Sequence, residues 1–114
     1  MNIKRGDIFL AALDPAIGKE IAKTRPVVVV SNDVNNQYSG TITILPVTSK
    51  NLEKIYPFEV FISSGKTNLP KNSKIKADQI RTLDRRRLIR FMGKLESEDL
   101  GAVDKAIQIH LSLP

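Results

Sequence analysis

There is no cysteine in this chain of 114 residues and a single histidine, His110. The first absence excludes disulfides and thiolate metal sites, and the two together leave no histidine-based zinc site within one chain. No metal and no other cofactor is therefore expected. A cysteine-free composition suits a reducing compartment. No apolar run approaches the roughly 20 residues that a membrane span needs, and Met1-Asn2-Ile3-Lys4-Arg5-Gly6-Asp7 does not read as a signal peptide. The expectation is a soluble cytoplasmic protein with no membrane partner. Also missing are a nucleotide-binding glycine loop, a serine elbow, a Cys/His cluster and a metal-binding set of carboxylates. Internal repeats, low-complexity tracts, an acidic tail and a long basic arm are absent too.

What the chain does carry is positive charge. The formal net charge is +6 and the sequence pI about 9.8, a balance that draws polyanions, nucleic acid foremost. With no basic arm, such a partner would have to meet a folded surface. The length predicts one domain over residues 1–114, able to bury roughly two thirds of its unfolded surface without staples.

The chain is organised around Lys23-Thr24-Arg25-Pro26-Val27-Val28-Val29-Val30-Ser31-Asn32-Asp33. Four consecutive valines, stiff at χ1 and apolar without alternation, predict a strand buried on both faces. Pro26 fits its first residue, and Ser31-Asn32-Asp33 end it by bonding their own backbone. Arg25 is thereby stationed at the rim of a rigid element.

Around this strand the pattern predicts a first strand over Ile8–Leu13, closed by Asp14-Pro15, and a mobile loop over residues 16–24. Val34–Gly40 reads as a polar turn. Thr41–Leu45 alternates as a half-buried strand, which Pro46 interrupts at an edge or bulge before Val47-Thr48-Ser49-Lys50. Further strands are predicted over Pro57–Ile62, Ser73–Thr82 and Leu88–Leu95, with Asp84 capping a turn through Arg85-Arg86-Arg87. Ser97 is the expected N-cap of a helix to about His110, whose apolar stripe is Leu100, Val103, Ile107 and Leu111. The six aromatics, Phe9, Phe58, Phe61, Phe91, Tyr38 and Tyr56, fall mostly on core-facing positions, so little stacking on bases is expected. Short strands followed by one helix predict a mainly β fold, a small, strongly curved antiparallel barrel with a C-terminal helix packed on it.

The polar residues left at strand ends and on wet faces are Glu20, Arg25, Thr48, Ser49, Lys76, Asp78 and Gln79. Singly each has a structural explanation: loop solvation for Glu20 and the lysines, turn hydroxyls for Thr48 and Ser49, an ion-pair partner for Asp78. The basic cluster from Arg85 to Arg90 reads as a nucleic-acid contact or, at least equally, as a solvated turn face.

Read together, Arg5-Gly6-Asp7-Ile8-Phe9, Gly18-Lys19-Glu20, Thr24-Arg25-Pro26 with its valines and Ser31-Asn32-Asp33, Pro46-Val47-Thr48-Ser49, and Asp78-Gln79-Ile80-Arg81-Thr82-Leu83-Asp84 with Arg87-Leu88 resemble the signature of the MazF/PemK toxins of type II toxin–antitoxin systems. The match spans nearly the whole chain, in order. The resemblance implies an SH3-like barrel with a C-terminal helix, working as a homodimer with RNA across its interface. It also implies a sequence-selective, metal-independent endoribonuclease that cuts single-stranded RNA, chiefly messenger RNA, until a MazE-like antitoxin covers its site. By match of motif, Arg25 and Thr48 fall on the family's catalytic arginine and threonine, Glu20 on a glutamate implicated in some members, and Asp78 and Gln79 on a pair used for cleavage or RNA contact. Some plasmid-borne relatives carry an arginine two residues before that aspartate and a histidine in the first loop. Here the first position holds Lys76 and the loop has no histidine, which favours a mechanism built on Arg25 and Thr48.

Metal-free RNA cleavage uses the ribose 2′-OH as nucleophile and needs a base, an acid and a cation for the transition state. Arg25 is assigned charge stabilisation, Thr48 donation to the same phosphate, and Glu20 the proton of the 2′-OH, with Asp78 as its substitute. Lys19, Lys23, Lys50 and Lys54 are assigned to phosphates, and Ser31, Asn32, Ser49 and Gln79 to base edges. Two rivals are a toxin of the same barrel that binds a protein target, like the gyrase-poisoning CcdB class, and a non-catalytic RNA-binding barrel. The CcdB class ends in an aromatic tail, which Leu111-Ser112-Leu113-Pro114 is not.

Overall fold

Seven strands, two helices and two single turns of 3₁₀ helix account for the chain in a computed structural model that describes residues 1–114. In order they are β1 (Asp7–Ala12), β2 (Thr24–Val29), α1 (Asp33–Tyr38), β3 (Thr41–Thr48), β4 (Glu59–Ile62), β5 (Ser73–Lys76), a turn at Ala77–Gln79, β6 (Arg81–Asp84), a turn at Arg85–Arg87, β7 (Leu88–Lys94) and α2 (Ser97–Leu111). All pairings are antiparallel, in the order β4-β5-β3-β2-β1-β7, with β6 beside β3. The mainly β architecture with a C-terminal helix is as predicted, but the barrel is incomplete. β4 and β7 end the sheet without pairing with each other, and α2 packs on β4 and on the turn at Ala77–Gln79.

The valine strand is buried on both faces because the sheet separates two cores. Val28 joins Ile8, Leu45, Ile75 and helix residues Val103 and Ala106 on one side. Val27 and Val29 join Phe9, Leu13, Ile42 and Ile44 on the other. Burying an aliphatic side chain of this size contributes about 1.5–3 kcal/mol, so strand β2 is held by both cores at once. Pro26 stands third in the strand, not first.

Pro46 does not mark an edge: β3 runs through it at the centre of the sheet, with Pro46 opposite Val27. The Thr43 carbonyl accepts from Val30 N–H on the β2 flank, so even-numbered positions of β3 turn their polar groups to the opposite flank. There β6 pairs only with Thr41–Ile44 and β5 only with Val47 and Thr48. Pro46 therefore lacks its donor where no partner strand exists to receive it. The same division breaks the strand predicted over Ser73–Thr82: serving two halves of β3 requires β5 and β6 to be separated by the turn at Ala77–Gln79.

Three other local expectations shift. Residues 33–38 form helix α1, capped by Asn32, whose Oδ1 accepts from Asn35 N–H at 2.8 Å. Ser97 is the first helical residue, and Glu96 in the cap position makes no side-chain capping bond. Leu111 leaves the apolar stripe and is 46% exposed. Asp84 caps its turn as expected, accepting from Arg86 N–H at 2.9 Å, and the Arg86 guanidinium holds its carboxyl at about 2. Gly6 adopts φ +91° with Leu100 3.3 Å from where a Cβ would stand, while Arg5 pairs with Asp104 of α2.

A buried ion cluster joins β4 to β5. Glu59 has a side chain only 1% exposed, and accepts from Lys74 Nζ at 3.0 Å and Lys76 Nζ at 2.7 Å. Lys74, 4% exposed, donates also to the carbonyls of Asn51 at 2.9 Å and Lys54 at 3.2 Å, so all three of its protons are used. Burial acts to raise the Glu59 carboxyl, but hydrogen bonds from Lys76, Tyr56 N–H and Lys74 outweigh it and leave the pKa lowered. Burial acts to lower Lys76, and its bond to Glu59 with attraction to Asp78 leaves it raised.

Removing one member of a buried pair strands the other charge. Glu59→Gln is expected to cost roughly 3 kcal/mol, the low end because Lys74 keeps two carbonyl partners, as read by urea unfolding at pH 7. A lowered Glu59 contributes stability that is full above the unfolded carboxylate value of about 4.3 and is lost as pH falls through its native value. Wild-type stability should therefore decline below about pH 4.3, and Glu59→Gln should make that acid limb shallower.

Candidate active site

The register of β2 on β3 pairs Val29 with Ile44, Val28 with Leu45 and Val27 with Pro46. Continued for two residues it sets Arg25 opposite Thr48. Both continue the face that carries Val27, Val29, Ile42 and Ile44 into one core, at the point where that core ends. Directly opposed residues in an antiparallel pair have Cβ atoms about 4.5–5.5 Å apart, so the guanidinium and the hydroxyl emerge side by side. They line one cavity of about 270 Å³ together with Glu20, Lys50, Lys74 and Lys76.

Each group in the cavity is partly held and partly free. Arg25, half-buried, donates from Nε to the Ala22 carbonyl at 3.3 Å, leaving its two terminal nitrogens for a ligand. Thr48 Oγ1 accepts from Lys50 N–H at 3.2 Å, so its own proton remains to be donated. Lys76 is anchored by Glu59 and lies 3.6 Å from Asp78 Oδ1. Glu20, on the exposed loop between β1 and β2, accepts from Ile17 N–H at 2.6 Å. The cavity is thus cationic, with one carboxylate at its lip.

Two further cavities share its walls. One, of about 290 Å³, includes Glu20, Asp78, Gln79 and Arg81. The other, of about 500 Å³, includes Asn51, Lys54, Tyr56, Phe58, Lys76 and Asp78. Asp78 Oδ1 is inaccessible to solvent and has no hydrogen-bond partner. Gln79 holds the first loop: its Oε1 accepts from Ile21 N–H at 3.2 Å and its Nε2 donates to the Lys19 carbonyl at 3.4 Å. Arg81 donates to the carbonyls of Leu13 and Pro15, and Arg87 to those of Ala12 and Asp14. The chain leaving β1 is therefore held at residues 12–15, and the loop over residues 16–24 is held at Lys19 and Ile21.

The structure does not bring every predicted site residue together. Ser31 and Asn32 lie past the other end of β2, roughly 20 Å along the strand from Arg25. There Ser31 Oγ donates to Asn36 and accepts from Thr43 N–H, and Asn32 caps α1. The Ser31 hydroxyl and the Asn32 Oδ1 are spent on structure. Ser49 sits in the exposed turn after β3. Lys23, at φ +68°, donates its N–H to Asp14, and its exposed side chain is outside the cavity. Lys54 belongs to the largest cavity, its Nζ 4.9 Å over the Tyr56 ring. His110 ends α2 and packs near Phe58, centroids 6.1 Å apart. No three His, Cys, Asp or Glu side chains converge as a metal site would require.

Sequence reasoning missed Lys74, Glu59, Asn51 and Tyr56. The signal for the first two is complementary charge across a strand pair, Glu59 opposite Lys76 with Lys74 two residues along on the same face, which appears only once the register is known. The aromatics were also misread: Phe9 alone is fully buried, whereas Phe61, Phe91, Tyr38 and Tyr56 are exposed.

Residues 4–111 match the family described as PemK-like, MazF-like toxin of type II toxin-antitoxin system. Endoribonuclease MazF9 of Mycobacterium tuberculosis is 42% identical over 116 residues, covering 97% of this chain and 98% of that protein. Endoribonuclease EndoA of Bacillus subtilis is 36% identical over 113 residues, covering 99% and 97%. Among solved structures, MazF from Deinococcus radiodurans superposes with a TM-score of 0.84 at 27% identity over 98% of each chain. The MazE-MazF structure from the same organism gives 0.79 at 25% identity over 100% and 99%. With its core architecture shared and its sequence matched almost from end to end, the chain belongs to the PemK-like, MazF-like toxins of type II toxin-antitoxin systems.

Proposed function

We propose that this chain is the toxin of such a pair and acts as a sequence-selective endoribonuclease on single-stranded RNA, needing no metal and silenced when an antitoxin covers its cavity. The observation that carries the reading is the opposition of Arg25 and Thr48 at the rim of the sheet, inside a cavity with Lys50, Lys74 and Lys76. The endoribonuclease names of its relatives and the MazE-MazF structure support it. Work in the cytoplasm is part of the proposal; no helix of the chain is long and apolar enough to cross a membrane. A homodimer with RNA along its interface completes the proposal.

The chemistry follows from the groups present. The ribose 2′-OH attacks the adjacent phosphorus, a P–O bond forms, and the bond to the 5′ oxygen breaks, leaving a 2′,3′-cyclic phosphate and a 5′ oxyanion that takes a proton from solvent water to become the 5′-OH. Glu20 at the lip takes the 2′-OH proton, with Asp78 in the adjoining cavity as the second carboxylate in reach of the strand. Charge builds on the non-bridging oxygens, where the free fork of Arg25 and the Thr48 proton are aimed. Lys50 and Lys76 meet flanking phosphates. Lys19, Lys23 and Lys54 add attraction that carries no sequence information.

Purified protein is expected to cut single-stranded RNA in EDTA. A substrate with 2′-deoxyribose at the scissile position should stay intact on a denaturing gel, and a requirement for Mg²⁺ would refute the scheme. Arg25→Ala should lower kcat roughly 10²–10³-fold with the thermal midpoint unchanged, and residual cleavage near wild-type rate would remove Arg25 from the chemistry. Lys50→Ala should weaken RNA binding similarly for all sequences and reduce the slope of log K against log salt by about 1.

A further inference from the structure

The largest cavity shares Asn51, Lys74 and Lys76 with the cavity of Arg25 and Thr48, so a strand lying across one enters the other. Tyr56 stands in its wall, 44% exposed. Its ring lies parallel to that of Phe58, centroids 5.5 Å apart and planes 8° from coplanar, an offset stack that leaves much of the Tyr56 face uncovered. Phe58 is fixed from behind by its packing against the core and near His110.

The segment that carries Tyr56 is held in advance. Tyr56 N–H donates to Glu59 at 3.0 Å, and Lys74 pins the carbonyls of Asn51 and Lys54 to the same carboxylate. An aromatic ring mounted on a buried ion pair loses little freedom when a ligand stacks on it. The ring face is at present attended by Lys54, an exposed side chain. An exposed cation over a ring is worth roughly 2–5-fold in affinity, whereas a base stacked on an aromatic ring is worth roughly 5–150-fold. The exchange runs toward the base and releases the ammonium to a phosphate beside it.

We propose that this cavity is a nucleobase pocket in which Tyr56 stacks one base of the RNA next to the scissile phosphate, a proposal that rests on the reading of the chain as an RNA-cutting toxin. Lys54 is its exchangeable cover. Lys74 and Glu59 are positioning residues that keep the ring at the cavity wall.

The test uses binding of uncleavable probes, so it does not depend on catalysis. A random-sequence deoxyoctamer and an octamer of abasic deoxyribose with the same phosphates are titrated against the full-length protein by fluorescence anisotropy. Tyr56→Ala should weaken the first at least fivefold, leave the second unchanged, and be rescued by Tyr56→Phe. The chain has no tryptophan and only two tyrosines, Tyr38 and Tyr56. In a Tyr38→Phe background, emission from Tyr56 should therefore be quenched by the octamer with bases and not by the abasic one. This second readout keeps Tyr56 in place and does not depend on Tyr56→Ala folding. Equal weakening of both octamers by Tyr56→Ala, or no quenching by the bases, would overturn the pocket. Loss of RNA cutting in EDTA by the unaltered protein would instead overturn the proposed function.

Discussion

Everything at the site depends on the register between β2 and β3. A slip of one residue would move every side chain of β2 to the other face of the sheet, exchanging Val28 with its neighbours between two cores that are both filled. The buried valines are alike in size and shape, so the cost of a slip falls where the run ends: moved one place inward, Arg25 would stand opposite Val47, whose side chain lies in the other core, and the register is locked there. Because it is locked, Arg25 and Thr48 stand opposite each other two residues beyond the last pair, where the same face passes from core to solvent. One proline fits this frame. Pro46 sits in the interior of the sheet but on a flank that no strand occupies.

The second constraint is the buried carboxylate of Glu59. It ties two lysines of β5 and the backbone of residue 56 into one unit, and Lys74 extends that unit to the loop between β3 and β4. A loop of polar residues is ordinarily the most mobile part of such a fold. Here it is fastened from beneath by charge-assisted bonds, roughly twice the strength of neutral ones. On the other side of the cavity, Gln79, Arg81 and Arg87 hold the carbonyls and amides of the β1–β2 loop. The cavity lies between two loops that the sheet itself restrains. Its free groups, the terminal nitrogens of Arg25, the hydroxyl proton of Thr48 and the ammonium of Lys50, are those left over after the fastening is complete.

How much of this could be read from the chain depends on the range of the interaction. The valine run, the helix dipole's acidic first turn, the Asp84 cap and the ordering of motifs are local, and each appeared where periodicity and side-chain chemistry put it. The strand expected over Ser73–Thr82 failed because its alternation is real on both sides of a break that only the two-sided pairing of β3 imposes. Helix α1 escaped notice because it is short and mostly polar, with Val34 and Tyr38 both exposed, and is helical through the cap of Asn32 and the anchoring of Asn36. Ser31 and Asn32 looked available for recognition because a sequence does not disclose which hydroxyls and amides are already bonded.

By itself the amino-acid sequence determined a cysteine-free, basic, mainly β domain with a C-terminal helix, and singled out Arg25, Thr48 and Glu20, since composition, hydrophobic period and motif order are properties of neighbours along the chain. Only the tertiary structure decided that the sheet stays open, that Lys74 and Glu59 lie beneath the cavity, that Tyr56 faces it and that Ser31 and Asn32 do not. Those outcomes turn on which strands meet and in what register, and burial, cross-strand charge and the spending of hydrogen bonds do not exist until they have met.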